Sequence, residues 1–512
     1  MIETEADLDD LFTEWEKPGS PGFSVAVYRA GEVAYARGVG MADLERSGAL
    51  TPQSVFDIGS TSKQFTAACI LLLARDGALG LDDDIRRHLP ALPDLGGPVT
   101  VRHLVHHTSG WRDYLNLTLL AGRSLDNDYE EAEVIELLAA QRALDFPPGT
   151  KHSYSNSGYF LLSEIVRVVS GQTLRQFAEE HIFGPLGMER TFFHDDRGEL
   201  VPNRALAYAP GESGFRIDLS IWDVTGDGAV FTTVEDLAAW DRQFYDCTLP
   251  GGDEFIAQLT TPGRLNDGTR LDYAFGLSIG TYRGARTISH GGSWGGYRAE
   301  LIRFPDLRTS VAVLANLATI DAGGLARKVA ERLLEGRLQP ATPEEDLPDG
   351  EGPADAFIGT FVDDDRTFAT TVEREGDGTV ARLAGQAFPL LLIAPGRARL
   401  RGLPVELRLS GEDVELLIRG DDRWTLRRTP AGPIDAGRLV GRYRSDELNA
   451  VYEISAGSEG LELRRGHQPP EPLLGVTDAV LSSAHGVLAF DETAGGFQMG
   501  TPRARGIRFD RF

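Results

Sequence analysis

A stretch rich in proline and acidic residues interrupts this 512-residue chain at 339–352 and limits how it can fold. This composition is typical of a linker, because proline breaks helices and central strands while acidic side chains stay hydrated. The residues before it mix helical and strand patterns, whereas those after it mostly alternate apolar and polar positions. We therefore expect one domain at 1–338, a linker at 339–352 and a separate β-rich part from 353 onwards.

The β-rich part contains a repeated segment. Phe357-Ile-Gly-Thr-Phe361 recurs as Leu439-Val-Gly-Arg-Tyr443, and each copy is followed by acidic residues and another strand pattern. Stretches such as Val405-Glu-Leu-Arg-Leu409 alternate apolar and polar residues, as strands with one buried face do. Two consecutive antiparallel β-barrels of about eight strands each, at 353–430 and 431–512, fit this pattern. A single elongated β domain is the alternative.

The part before the linker is predicted to be of the α+β class. Residues 23–28 and 33–36 predict a hairpin, and further strands are expected at 287–289, 297–302 and 310–314. Helical patterns fill most of the middle, and an amphipathic helix is expected at about 324–335. The first and last strands would then share one antiparallel sheet with helices packed against it.

Ser60 and Lys63 have the spacing of a nucleophile and its base on one helical face. A lysine three residues away can reach the serine hydroxyl, and in its neutral form it can take the proton. The apolar run at 64–73 predicts the helix, whose N-terminal N–H groups favour a developing oxyanion. Alone the motif is weak, because a helix N-cap followed by a surface lysine has the same pattern.

A second polar cluster, Tyr154-Ser-Asn156, follows a Pro-Pro-Gly turn. We expect it on a loop just before a helix that starts near Gly158. The Tyr154 phenol can pass a proton between Ser60 and a leaving group. The Asn156 amide can hold a substrate amide or the lysine. The alternative is a packed tyrosine beside an asparagine that caps the next helix.

A third cluster, Ser-His-Gly-Gly-Ser at 289–293, follows a strand pattern. We expect His290 to face the site, and Gly291 and Gly292 to let a substrate backbone approach the strand edge closely. The Ser293 N–H then offers a second oxyanion donor beside that of the nucleophile. The alternative for His290 is a hydrogen-bonded histidine at a strand end.

In this order the three clusters resemble the Ser-x-x-Lys, Tyr-x-Asn and His-x-Gly motifs of the class C β-lactamase-like serine hydrolases, also called the S12 peptidase family. The resemblance covers roughly residues 5–338 and implies a β-lactamase/penicillin-binding-protein-like catalytic domain. It makes Ser60, Lys63, Tyr154 and His290 the expected catalytic residues. Class C β-lactamases carry Lys-Thr-Gly as the third motif, so the His-Gly-Gly found here points towards peptidases and esterases.

A catalytic domain followed by two β-barrels resembles the D-aminopeptidase branch of this family, whose members release N-terminal D-residues from peptides. The resemblance implies a serine hydrolase that works through an acyl-enzyme, without a metal or cofactor. It also implies that a loop of the last barrel reaches the catalytic cleft and restricts substrate length. Segments 477–486 and 500–506 are both candidates for that loop.

An aminopeptidase also needs a group that holds the substrate ammonium. Asp227, in the turn-like Thr225-Gly-Asp-Gly stretch, is the candidate, because the D-aminopeptidase branch also carries an acidic residue there. The alternative is a turn aspartate that caps the helix expected near Thr233.

Two other functions stay open. A carboxylesterase using the same site would turn over short acyl esters and leave amides intact. A protein of another class would bind peptides or cell-wall fragments through its barrels without catalysis. The pairing of Lys63 with Ser60 argues against the second function, because a binding module has no need for it.

The composition limits which partners are expected. The formal net charge is −26 and no basic cluster appears, which excludes nucleic acid as an expected partner. We expect a small peptide or an amino-acid amide or ester as substrate, and no membrane, since no run approaches spanning length. The oligomeric state is open, with a homodimer as one alternative. The acidic first residues lack an apolar signal region, so a cytoplasmic location is expected.

Two groups of reactive side chains are expected to be structural. Cys69 and Cys247 form no disulfide framework, and Cys69 lies in an apolar helical run that predicts core packing. His103, His106 and His107 have a spacing that can place two of them on one helical face as metal ligands. No acidic or cysteine partner lies nearby at ligand spacing, so a structural segment under the active site is the expected role.

Overall fold

The computed structural model describes residues 6–340 and 354–512, apart from 384–385, 402, 404, 419–421, 431, 433 and 459. From residue 341 on, the predicted linker lies outside the described residues, and the domain boundaries remain predictions. Among the helices that are described, none is both long and apolar enough to cross a membrane.

A six-stranded antiparallel sheet forms the framework of the first part of the chain. Its strands are β1 (Phe23–Arg29), β2 (Glu32–Val39), β3 (Ser278–Tyr282), β4 (Ala285–Trp294), β5 (Tyr297–Phe304) and β6 (Thr309–Ala315). The order across the sheet is β3-β4-β5-β6-β1-β2. The first hairpin therefore pairs with the last strand, with Val25 opposite Val313, as the sequence predicted.

Both faces of this sheet are covered. The strand β1 shows this, because it buries residues on both sides. Ala26 and Tyr28 face one core, whereas Val25 and Val27 face the other, as the period of two along a strand requires. Three helices matter most for the site: α1 (Lys63–Arg75), α2 (Asn156–Ser170) and α3 (Ala322–Leu333). The first two pack in one core and α3 in the other.

Shorter elements complete this part of the chain. The remaining helices are Ala6–Asp9, Val101–Val105, Tyr114–Leu120, Glu131–Ala139, Leu174–Ala178, Gly184–Leu186, Asp236–Arg242 and Gly252–Leu259. The short strands are Met41–Asp43, Gly48–Ala49, Phe56–Asp57, Phe192–Phe193, Tyr208–Gly211, Gly214–Ile217 and Val230–Thr232. Cys69 is fully buried in α1, where burial raises the pKa of its thiol, so its predicted place in the core is confirmed.

The C-terminal part forms two closed, eight-stranded antiparallel barrels. The strands of the first are Gly359–Asp363, Ala369–Glu375, Gly378–Leu383, Gln386–Ala394, Arg397–Leu400, Val405–Ser410, Asp413–Ile418 and Asp422–Arg428. Those of the second are Gly441–Ser445, Ala450–Ala456, Leu461–Arg465, Glu471–Gly475, Val480–Ser483, Gly486–Phe490, Gly496–Thr501 and Ala504–Arg511.

The sequence repeat marks the start of each barrel. Each copy forms a short helical turn, Asp355–Phe357 or Ala436–Leu439, that leads into the first strand of its barrel. Phe361 then pairs with Arg428, and Tyr443 with Arg511, which closes each barrel through its first and last strands. The prediction of two barrels is confirmed, and the alternative of one elongated β domain is wrong.

The second barrel docks onto the catalytic part through a buried ion pair. Arg112 Nη1 donates to Glu447 Oε2 at 2.7 Å, and both side chains are almost completely buried. Nearby, the N–H of Asp113 donates to the carbonyl of Arg503 at 2.8 Å. Segment 500–506 is therefore the loop of the last barrel that reaches the catalytic part.

The other candidate loop, 477–486, contacts a different neighbour. Val480 lies in an apolar cluster with Val362 and Ala369 of the first barrel. This segment packs between the two barrels, so the structure decides the choice that the sequence left open.

Candidate active site

Ser60 lies in a tight turn, Gly59–Ser62, that leads directly into α1. Gly59 has a φ of +49°, and a Cβ on it would lie 2.8 Å from the Ser293 nitrogen. Only glycine suits this position, because it permits both the left-handed backbone and the close approach of β4. Asp57 Oδ1 accepts the Gly59 N–H at 2.8 Å and so fixes the turn.

The Lys63 amine contacts three other groups of the site. Its Nζ lies 3.1 Å from Ser60 Oγ, 2.9 Å from Asn156 Oδ1 and 2.6 Å from the carbonyl oxygen of Asp227. The side chain is fully buried at the start of α1. The alternative of a surface lysine is therefore wrong, and the predicted contact with the serine hydroxyl is present.

Asn156 is the first residue of α2, two positions earlier than the predicted start near Gly158. Ser155 is the N-cap, because its Oγ accepts the Gly158 N–H. The Asn156 N–H donates to Asp113 Oδ2 at 2.7 Å, which leaves its amide oxygen on Lys63. The alternative of an asparagine cap is therefore wrong.

Two basic side chains lie beside the Tyr154 ring. Lys63 Nζ is 4.8 Å from its centroid and the Arg503 guanidinium carbon is 5.0 Å from it. The His107 ring packs against it at 4.3 Å, while His107 Nδ1 accepts the Ser155 N–H at 3.1 Å. His107 thus braces the loop that carries the tyrosine.

His103, His106 and His107 make contacts that support the fold. The helix Val101–Val105 ends before His106 and His107, so the shared helical face that the metal-site alternative needs does not form. His103 caps this helix, and His106 packs edge-on against Phe275. Within the described residues, no group of three or more His, Cys, Asp or Glu side chains is arranged to hold a metal ion.

His290 lies inside β4, because the strand continues to Trp294 and does not end at 289 as its pattern suggested. Its Nδ1 is 2.6 Å from the Gly291 carbonyl oxygen, so that nitrogen carries the proton. Its Nε2 is 3.0 Å from the Tyr273 hydroxyl and can accept from it. Burial and the nearby Lys63 charge lower the pKa of His290 to about 4, so the imidazole is neutral near pH 7.

The first glycine after His290 has room for a small side chain, whereas the second does not. A Cβ on Gly292 would lie 1.8 Å from the Ile58 carbonyl oxygen, so this glycine lets β4 touch the nucleophile turn. A Cβ on Gly291 would lie 2.9 Å from the flexible end of Glu300 and in ordinary contact, at 3.5 Å, with the Ala299 carbonyl oxygen. Close approach of protein backbone, rather than of substrate, requires Gly292.

The edge of β4 beyond Ser289 is open to a substrate on one side. The pairing of β3 with β4 ends at Ser289, whereas β5 pairs with β4 as far as Trp294. The backbone of 290–294 therefore has an edge that faces the Ser60 turn and is unpaired with β3.

Asp227 points its carboxylate into the site. Its Oδ2 accepts the Tyr114 hydroxyl at 3.0 Å. Burial raises the pKa of Asp227 to about 6, although Lys63 and the Tyr114 hydrogen bond act in the opposite direction. The helix expected near Thr233 begins at Asp236, and Thr233 Oγ1 accepts the Asp236 N–H, so the capping alternative for Asp227 is wrong.

Two cavities meet at the nucleophile. The inner cavity, of about 210 Å³, is lined by Asp227 and by aromatic residues that include Trp222 and Trp294. The outer cavity, of about 580 Å³, runs past His290 towards the start of α3. A substrate held across Ser60 would place one end in each cavity.

The structure adds site residues that the sequence analysis did not single out. Asp113 orients Asn156, and Tyr273 orients His290. Arg503, which was covered only by a candidate loop range, lines both cavities. Each acts through a contact between distant segments, and no local motif marks any of them.

Comparison with known proteins identifies the family of this chain. Residues 8–334 match the Beta-lactamase family. The D-aminopeptidase of Gluconobacter oxydans (strain 621H) is 32% identical over 451 residues, which cover 86% of this chain and 83% of that protein.

Solved structures share the fold. The octameric penicillin-binding protein homologue from Pyrococcus abyssi matches with a TM-score of 0.58 and 24% identity, covering 82% of this chain and 99% of that one. The D-amino acid amidase from Ochrobactrum anthropi SV3, complexed with L-phenylalanine amide, matches with a TM-score of 0.53 and 21% identity, covering 65% of this chain and 98% of that one. This chain belongs to the β-lactamase family and is a serine hydrolase of the S12 peptidase type with two β-barrels at its C-terminal end.

Proposed function

We propose that this enzyme releases N-terminal D-amino acids from short peptides and amides through an acyl-enzyme on Ser60. The position of Asp227 is the observation that carries the proposal. Its carbonyl oxygen binds Lys63, and its carboxylate lines the inner cavity beside Ser60. Asp227 therefore contacts the Lys63 amine through its backbone and offers its carboxylate to a substrate ammonium.

The contacts of Lys63 support its role as the base. In the neutral amine, two N–H bonds stay on the oxygens of Asn156 and Asp227, and the lone pair faces Ser60 Oγ. The serine proton moves to Lys63 as Ser60 attacks the carbonyl. The N–H groups of Ser60 and Ser293 stabilise the resulting oxyanion.

Tyr154 and His290 serve the later steps of the proposed reaction. As the C–N bond breaks, the Tyr154 phenol gives its proton to the leaving amine and takes up the proton that Lys63 received from Ser60, so both groups return to their starting forms. Water then enters from the outer cavity, which His290 lines in its neutral form. Its attack on the ester of Ser60 releases the amino acid and restores the hydroxyl.

The inner cavity suits a free N-terminal residue. Asp227 supplies a negative charge, and Trp222 and Trp294, whose ring centroids are 5.3 Å apart, supply an apolar wall. A desolvated carboxylate binds an ammonium through charge-assisted hydrogen bonds. The preference for D-residues rests on the similarity to the Gluconobacter D-aminopeptidase over most of both chains.

Release of p-nitroaniline from three substrates tests the proposal: D-alanyl, L-alanyl and N-acetyl-D-alanyl p-nitroanilide. We expect turnover of the D-alanyl compound, weaker turnover of the L-alanyl compound and almost none of the capped one. Equal turnover of free and capped compounds would exclude an aminopeptidase. Turnover of short acyl esters without any amide hydrolysis would support a carboxylesterase instead.

A further inference from the structure

The hairpin turn at 500–506 is fixed against the catalytic part by its backbone. The Asp113 N–H donates to the carbonyl of Arg503 at 2.8 Å. Arg112 Nη2 donates to the carbonyl of Arg505 at 2.6 Å from an almost completely buried position. The second barrel therefore holds the Arg503 backbone at a set position beside the site.

The Arg503 side chain lies where the two cavities meet. Four residues line both of them: Ser60, Tyr154, Ser293 and Arg503. The first three surround the bond that is cleaved in the proposed mechanism. The fourth contributes a permanent positive charge, 5.0 Å from the centre of the Tyr154 ring.

The position of Arg503 sets it apart from the other charged residues of the two cavities. Asp227 lines the inner cavity, where the substrate ammonium binds in the proposed function. In the outer cavity, Glu300 and Asp321 are accompanied by Arg298 and Arg327, so neither sign of charge dominates there. Arg503 is the charged residue at the junction itself, and it therefore favours a substrate carboxylate at that point.

The length of one residue decides how far the substrate carboxylate lies from the junction of the two cavities. Consecutive Cα atoms are about 3.8 Å apart, so the residue after the cleaved bond keeps its own carboxylate close to the junction. We propose that Arg503 binds the α-carboxylate of that residue and thereby makes dipeptides with a free C-terminus the preferred substrates. This inference rests on the proposed aminopeptidase function.

The chemistry of arginine suits this role. Its planar guanidinium donates two parallel hydrogen bonds to one carboxylate, which gives both orientation and charge recognition. An amide at the same position carries no charge and offers one oxygen. A longer peptide carries its carboxylate farther from Arg503. The inference therefore ranks dipeptides above both dipeptide amides and tripeptides.

Two matched substrates test this selection. D-alanylglycine and D-alanylglycinamide share the cleaved bond and differ only in the terminal carboxylate. We expect the wild-type enzyme to have a kcat/KM about 10- to 100-fold higher for the dipeptide, the range of a charge-assisted contact. D-alanine release, measured by chromatography, gives both values.

Two variants on the same hairpin locate the effect. Arg503→Gln should bring the ratio of the two kcat/KM values to near one, and Arg503→Lys should leave an intermediate ratio. Arg505→Gln is the control, because its guanidinium is turned away to Asp365 of the first barrel, at 2.9 Å. That variant should keep the wild-type ratio.

Each alternative outcome has a separate meaning. A wild-type enzyme that hydrolyses D-alanyl p-nitroanilide but treats dipeptide and amide equally would overturn this inference and leave the aminopeptidase function in place. A ratio that survives Arg503→Gln would also overturn it. Hydrolysis of none of these compounds would overturn both the inference and the proposed function.

Discussion

Replacing Gly292 by alanine tests whether β4 and the nucleophile turn must touch. A Cβ at this position would lie 1.8 Å from the Ile58 carbonyl oxygen, whereas ordinary contact begins near 3.4 Å. Strand and turn would have to separate by roughly 1.6 Å, which moves the Ser293 N–H away from Ser60. A misplacement of about 1 Å costs ~100-fold in rate. Gly292→Ala should therefore lower kcat by at least about 100-fold, or ~2.7 kcal/mol.

The assay is turnover of D-alanyl p-nitroanilide, together with a urea unfolding curve. Overpacking should lower the free energy of unfolding by about 1–3 kcal/mol, so the curve separates a displaced site from a lost fold. Gly291→Ala is the matched control, because the one close contact of its Cβ would be the flexible end of Glu300, and it should change kcat by no more than a few-fold. Wild-type kcat in Gly292→Ala, or equal losses in both variants, would refute this account of the strand contact.

Three further predictions follow from buried groups. Asp227→Asn should raise KM for substrates with a free amine and spare simple esters. Because burial raises the pKa of Asp227 to about 6, the wild-type KM should also rise as pH falls below that value and the carboxylate becomes protonated. Arg112→Ala leaves Glu447 buried without its partner and should cost about 3–5 kcal/mol in urea unfolding. Tyr273→Phe removes the hydrogen bond to His290 Nε2 and should lower kcat more than KM, whereas equal effects on both constants would contradict an orienting role.

The parts of the site that could be predicted from sequence are local. Ser60 and Lys63 are one helical turn apart, and Asn156 is two positions from Tyr154, so spacing alone brings each pair together. That the first and last strands share one antiparallel sheet was predicted as well, from the strand patterns at both ends of the first part. The repeat likewise predicted two barrels of similar construction.

The remaining contacts join segments that no local pattern connects. Arg112 donates to the backbone of Arg505, 393 positions away. The need for glycine at 292 arises from the Ile58 carbonyl, which only the folded chain brings near. Sequence therefore predicted that Gly292 lies at the site, but not the backbone contact that requires a glycine there.

Formation of a covalent intermediate on Ser60 tests the central claim most directly. The enzyme would be mixed with D-alanine methyl ester, quenched in acid within milliseconds and examined by intact mass and peptide mapping. We predict an added alanyl group on the peptide that contains Ser60, and neither adduct nor turnover in Ser60→Ala. Turnover retained by Ser60→Ala, or an adduct on another residue, would contradict the mechanism.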